Sequence, residues 1–471
     1  MTGAKLELSA EEMRAAGYLV VDRLVEHLAT LGAQRVGTKA DPGNLPLFPR
    51  GAAPEKPAPF EEVLSLVEQH VLAYTMHVNH PRFLAYVPGP GNFIGALADA
   101  LVSGFNVFSG TWISGSGPEA VERETIGWLR EWCGFPASAG GLFVSGGSMA
   151  NLTALAAARQ ARIGFGDQRA RVYLSTQAHA SLEKGLRILG FAPGQVVKLE
   201  ADGEYRLPVP ALAQRIALDR DAGLLPFCVI ASAGTTNTGA IDDLPGIARL
   251  CREQDLWFHI DGAYGAAAVL TARGRKLLAG IELADSLSFD PHKWLFQPFE
   301  CGCVLVREGE RLEQAFNIHA DYMSDTRRYS AEFNYADSGI QLTRGFRALK
   351  LWMSVRTFGL AAFREAIEHG FEMAEFAAQE IERLEGWELV SGPRMGIVCF
   401  RYNEGPEGLH ERIVDALIAD GTALATTTTL AGRTVLRFCT INPRTTEEDI
   451  RLALAAIDAI ARRLASGRAE V

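Results

Sequence analysis

The spacing of apolar residues changes period along the chain and divides it into three parts. Behind Ser9-Ala10-Glu11-Glu12, where serine and glutamate have capping-box spacing, Met13, Val20, Leu24 and Leu28 recur at helical intervals and predict an amphipathic helix over 10–31. Prolines at 42, 46, 49, 54, 57 and 59 then impose an extended linker. Val63, Leu64, Val67 and Val71 restart a helical stripe over 60–74. From about His80 to Arg344 short β-branched and aromatic runs alternate with helical stretches, and strands are predicted at 141–144, 172–175, 195–199, 227–233, 257–260, 286–289 and 303–306. Such alternation implies an α/β domain with a mostly parallel seven-stranded sheet, helices on both faces, and function in the loops after the strand ends. A long amphipathic helix over 346–385 leads into a small α+β tail with strands at 387–390, 396–402 and 435–439. The chain therefore reads as an N-terminal helical arm (1–79), a large domain (80–345), and a linking helix with a small C-terminal domain (346–471).

An arm with so many apolar positions has no evident place on an isolated domain, so a second copy of the chain is its expected partner. Length and composition agree with a large buried core: 471 residues, 48% hydrophobic, with 47 glycines. The formal net charge of -10 and the lack of basic runs argue against nucleic acid or an anionic membrane as partner. No apolar stretch reaches the ~18 residues of a spanning helix, and the first residues carry no basic-then-apolar leader. Seven scattered cysteines point to a reducing, cytoplasmic setting, and Cys301-Gly302-Cys303 has no second pair at metal-ligand spacing, so no metal site is expected.

Chemistry concentrates at four strand ends. Ser288-Phe289-Asp290-Pro291-His292-Lys293-Trp294 offers one amine in an apolar, aromatic setting, where desolvation suits an amine that attacks a carbonyl. Val144-Ser145-Gly146-Gly147-Ser148 ends a strand and opens a helix, so backbone amides and the Ser148 hydroxyl can close on a phosphate. It lacks both the Walker ending and the dinucleotide glycine pattern. Asp261, just after a strand, can hold a proton on a heteroaromatic nitrogen, while the Ala263 methyl lets a flat ring lie against the backbone. His179 follows another strand in Gln177-Ala178-His179. Cradle, histidine, aspartate and lysine in this order point to pyridoxal 5'-phosphate.

On these motifs, together with His80-Pro81-Arg82-Phe83, Gly234-Thr235-Thr236, Tyr264 and Phe346-Arg347-Ala348-Leu349-Lys350-Leu351-Trp352, the chain resembles the group II pyridoxal-phosphate-dependent decarboxylases, most of all those acting on aromatic L-amino acids. The resemblance implies fold type I, the aspartate-aminotransferase type, and a homodimer with active sites at the subunit interface. It implies Lys293 as the covalent attachment point, Asp261 on the pyridine nitrogen and His179 stacked over the ring. Thr236 is implied near the cofactor, and Gly147, Ser148 and His292 around its phosphate. Many relatives carry asparagine at the position of Asp290, and a carboxylate beside a phosphate repels it unless it turns away or is protonated. Tyr86, Pro88, Phe108 and Trp112 are the expected substrate wall, apolar and aromatic; Arg82 reads as structural. Tyr335, in a stretch with the composition of a mobile loop, is the expected proton donor to the carbanion, with His179 next in line. The implied reaction is decarboxylation of an aromatic L-amino acid, tryptophan, tyrosine or a related one, to amine and carbon dioxide. An acidic or diamino substrate, aldehyde synthesis, or transamination with Arg437 gripping the carboxylate are the alternatives on the same fold.

Overall fold

The computed structural model describes residues 6–42, 52–318, 325 and 332–466. Its centre is a seven-stranded sheet made of β1 (Gly140–Val144), β2 (Ala170–Ser175), β3 (Val196–Leu199), β4 (Leu225–Ser232), β5 (Trp257–Asp261), β6 (Ser286–Phe289) and β7 (Gly302–Val306), in the order β1-β7-β6-β5-β4-β2-β3. Each of the seven predicted runs is a strand. Only β7 runs against its neighbours, β1 and β6. All the other strands therefore end on one edge of the sheet, and β7 begins there. That single edge collects the loops that carry the motifs.

Helices cover both faces, so the strands are almost entirely buried and read as apolar runs. A second sheet, β8 (Trp387–Arg394), β9 (Ile397–Tyr402), β10 (Thr426–Leu430) and β11 (Arg433–Cys439), is antiparallel throughout, in the order β10-β11-β9-β8. β10 is not predicted from sequence: its Thr426-Thr427-Thr428-Thr429 run has no apolar alternation. What makes it a strand is the hairpin with β11, turned by Ala431 and Gly432 at φ 48° and 74°. The linking helix, Ala348–Arg383, is interrupted at Gly359, where φ is 73°.

The stretch just after residue 80 packs against the C-terminal sheet. Leu84 N–H donates to Leu424 O, and Cys439 N–H donates to Leu84 O, so this stretch belongs to the C-terminal layer. Arg82 holds it there through Asp449 at 3.0 Å and the Thr422 carbonyl at 2.7 Å, a structural role.

In the arm, α1 (Ala10–Thr30) has its capping box in place: Ser9 Oγ accepts from Glu12 N–H, and Ser9 N–H donates to Glu12 Oε2. Neither α1 nor α2 (Phe60–His70) has a single buried residue. Tyr18, Val25, Phe60 and Val63 lie open to solvent. Among the described residues, no helix is long and apolar enough to cross a membrane.

Candidate active site

At the shared strand edge lies a cavity of about 340 Å³, lined by residues from the loops after β1, β2, β4, β5 and β6. Those loops contribute Gly147, Ser148, His179, Thr236, Asp261, Ala263, His292 and Lys293, which are all eight residues expected around the cofactor.

The glycines of the cradle are required sterically. A Cβ on Gly147 would stand 2.8 Å from Asp290 Oδ2 and 3.1 Å from the Ala263 methyl, and one on Gly146 would stand 3.0 Å from His292 Cε1. The helix that follows, α3 (Gly147–Arg162), has Met149 and Ala150 N–H bonded back to Gly146 O. The amides of Gly147 and Ser148 at the helix start have no such intrahelical carbonyl, so they and the helix dipole favour an anion.

Asp261, 8% exposed, ends β5 and accepts three hydrogen bonds, from Ser288 Oγ at 3.1 Å, Ala263 N–H at 3.1 Å and Asn151 Nδ2 at 3.2 Å. Behind it runs a buried chain of polar groups. Trp257 Nε1–H donates to Ser286 Oγ at 2.8 Å, Ser286 meets His259 Nδ1 at 2.9 Å, and His259 Nε2 meets Asn151 Oδ1 at 3.0 Å. Burial pushes His259 down to about 4, so the ring is neutral near pH 7. A neutral His259 that accepts from the Ser286 hydroxyl donates from Nε2 to Asn151, leaving the Asn151 amide to donate to Asp261. Asn151 Nδ2 also meets Ser181 Oγ at 3.2 Å, and Ser181 Oγ lies 2.8 Å from His179 Nδ1. One asparagine therefore ties the aspartate and the rim histidine together.

Sequence reasoning missed Asn151, His259 and Ser288. The signal was present for His259: it stands two residues before Asp261, on the same face of an otherwise apolar strand.

Lys293 follows β6, with Nζ 3.2 Å from Asp290 Oδ2. Its neighbour Trp294 is fully buried, between the rings of Tyr264 at 6.1 Å and Phe371 at 5.1 Å, and fastens the lysine segment to the linking helix. His292 Nδ1 accepts from Cys301 N–H at 3.1 Å, and burial lowers its pKa.

Within one chain, two of the expected site groups lie outside the cavity. Tyr335 is one. It begins a short 3₁₀ turn, Tyr335–Ser338, is 2% exposed, and does not line the cavity. The Arg344 guanidinium lies 5.1 Å from its ring centre, and burial pushes the phenol pKa well up. Arg344 itself is paired with buried Glu122, so the turn is bolted to the helix Trp112–Trp132. The expected substrate wall is the other. Within one chain, Tyr86, Pro88, Phe108 and Trp112 do not line the cavity with Lys293. Tyr86 is 64% exposed at φ 52°, and the Phe108 ring folds over Gly110.

The sequence profile described as "Pyridoxal-dependent decarboxylase conserved domain" matches residues 42–403. A Bacillus atrophaeus protein named aromatic-L-amino-acid decarboxylase is 45% identical over 464 residues, 97% of this chain and 97% of its own. Among solved structures, Oryza sativa TDC with PLP and tryptamine superposes with a TM-score of 0.91 at 27% identity, covering 98% of this chain and 100% of that one. Rhodiola rosea 4-hydroxyphenylacetaldehyde synthase superposes with a TM-score of 0.89 at 27% identity, covering 97% and 99%. With Gly147, Asp261 and Lys293 gathered on one strand edge, and with this match across most of its length, the chain belongs to the pyridoxal-dependent decarboxylase family.

Proposed function

We propose that the protein decarboxylates an aromatic L-amino acid to its amine, at pyridoxal phosphate held on Lys293. The observation that carries this reading is the meeting of Gly147, Ser148, Asp261 and Lys293 in one cavity. The relative named aromatic-L-amino-acid decarboxylase supports the substrate class. When bound, the cofactor supplies a sink for the electrons left behind by departing carbon dioxide. The Gly147 and Ser148 amides hold the phosphate, and Asp261 keeps a proton on the ring nitrogen. Lys293 holds the covalent link and moves protons at the linking nitrogen. Tyr335 is the proton donor to the former α-carbon, with His179, on the rim, next in line. Arg437 is 3% exposed, with Nη1 donating to Tyr86 O at 2.5 Å and Nη2 without a partner, which suits it to a substrate carboxylate.

The working unit is a homodimer in the cytoplasm. The unburied apolar faces of α1 and α2 support it, since exposed patches of this kind mark interfaces. A second copy also closes the open side of the cavity and brings aromatic wall residues to it. Deletion of residues 1–59 should shift the protein from dimer to monomer in sedimentation velocity and reduce turnover at least about tenfold. A truncated protein that remains a tight, fully active dimer would remove the arm from the interface.

The function is tested with a panel of L-amino acids assayed together for carbon dioxide, amine and hydrogen peroxide. Equimolar amine and carbon dioxide from tryptophan, tyrosine or a related aromatic substrate, without peroxide, is the expected result. Aldehyde with peroxide, or a keto acid without carbon dioxide, would replace the proposed reaction. Tyr335→Phe should shift product from amine toward aldehyde and hydrogen peroxide; an unchanged ratio of amine to peroxide would move the proton donor to His179.

A further inference from the structure

Asp290 sits in the wall of the phosphate cradle, 2% exposed, with Oδ1 buried and lacking a hydrogen-bond partner. Its Oδ2 stands 3.2 Å from Lys293 Nζ and 3.6 Å from His292 Nε2. Its backbone N–H donates to Ala263 O at 2.8 Å, so the residue does not swing away as a unit. The contact that a Cβ on Gly147 would make with Oδ2 places this carboxylate against the first turn of α3. An anion drawn to that turn therefore arrives next to an existing negative charge.

The charged and titratable groups around it do not remove the conflict. On its own segment stand Lys293 and His292; the latter's Nδ1 accepts from Cys301 N–H, which puts the neutral ring's proton on Nε2, toward Asp290. Burial holds that ring toward the neutral form. From β5 comes Asp261, a like charge already satisfied by its own donors. His179 is on the rim and exposed Glu300 is across the loop that leads into β7. Lys350 acts on His292 at longer range, and its own ammonium is bonded to Asp99. Lys293 is the cation in direct contact, and forming its covalent link to the cofactor changes its charge.

Resting on the reading of the cavity as a pyridoxal phosphate site, we propose that Asp290 takes up a proton as the phosphate enters and then donates its O–H to a phosphate oxygen. The neighbouring ammonium is the source. Lys293 must lose a proton before its nitrogen can attack the carbonyl carbon. That proton passes to Asp290 across 3.2 Å, the C=N bond forms, and the carbonyl oxygen leaves as water. Asp290 thus acts as a positioning residue for the phosphate, donating its O–H once the cradle is filled.

Proton counting tests it. Cofactor-free protein and Asp290→Asn are titrated with pyridoxal phosphate at pH 7.5, by calorimetry in buffers of different ionisation heat. The wild type should retain about one proton more per cofactor bound than the variant, and its Kd relative to the variant's should rise with pH, by up to about tenfold per unit. Pyridoxal, which has no phosphate, should give the two proteins equal counts. In the wild type alone, pyridoxal phosphate should take up about one proton more than pyridoxal does, a comparison that needs no variant. Equal counts for both proteins with a Kd ratio independent of pH would overturn the proposal and leave the cofactor assignment standing. A wild type that acquires no visible absorbance with pyridoxal phosphate would instead overturn the assignment on which it rests.

Discussion

Lys293→Ala is expected to abolish turnover, with a loss of about 10³-fold or more, while the protein remains folded. Two functions go with the amine, covalent attachment of the cofactor and proton transfer at the linking nitrogen, and positioned acid–base catalysis alone is worth about 10²–10⁴-fold. The fold survives because the segment is fixed by other groups. Trp294 is buried between Tyr264 and Phe371, and the Lys293 backbone N–H donates to Asp290 O at 2.9 Å. The structural cost is confined to Asp290, which loses the cation at 3.2 Å. Leaving a buried group without its partner costs about 1–3 kcal/mol, less if it protonates. Carbon dioxide release in steady state, with thermal melting of both proteins, measures the two effects separately. Near-normal steady-state turnover in the variant would place the attachment point elsewhere.

Asp261→Ala should be nearly as damaging, at about 10²–10⁴-fold in kcat, with a much smaller change in KM. The carboxylate acts on charge that develops only as carbon dioxide departs, since an unprotonated ring nitrogen is a poor sink. Its loss should therefore appear in the chemical step rather than in substrate binding. Its position is prepared from behind by Ser288, Ala263 and Asn151, the last oriented by His259. Steady-state kinetics on the cofactor-loaded variant, with loading checked by absorbance, makes the comparison. A variant that keeps wild-type kcat would rule out a role for Asp261 at the ring nitrogen.

The large sheet was legible because its strands are buried on both faces, and a run such as Phe227 to Ala231 has little to do but be apolar. The cofactor cavity was legible for a related reason. Each of its loops follows a strand, and residues as unusual as Gly147, Asp261 and Lys293 stand out against such runs. β10 was not, because a run of threonines acquires its meaning only from the hairpin partner Arg433–Cys439. Asn151 was hidden for a different reason: a polar residue in an early helical turn reads as surface until the fold sets it against His259 and Asp261. Tyr335 shows the limit of spacing. An aromatic residue in a stretch rich in glycine and aspartate looks mobile, but the Glu122–Arg344 pair, formed over a separation of 222 residues, fixes the turn from outside. Which copy of a dimer the substrate wall faces is not legible, because spacing along one chain does not carry that information.

Trapping the bond between Lys293 and the cofactor reports whether Lys293 carries it. The loaded protein is reduced with borohydride, digested, and its peptides are sequenced by mass spectrometry. The account predicts one pyridoxyl-phosphate modification per chain, on Lys293, and none on Lys350, whose ammonium is engaged by Asp99 and the Glu300 carbonyl. A modification on another lysine, or reduction that leaves Lys293 unlabelled in a protein that still decarboxylates, would contradict it.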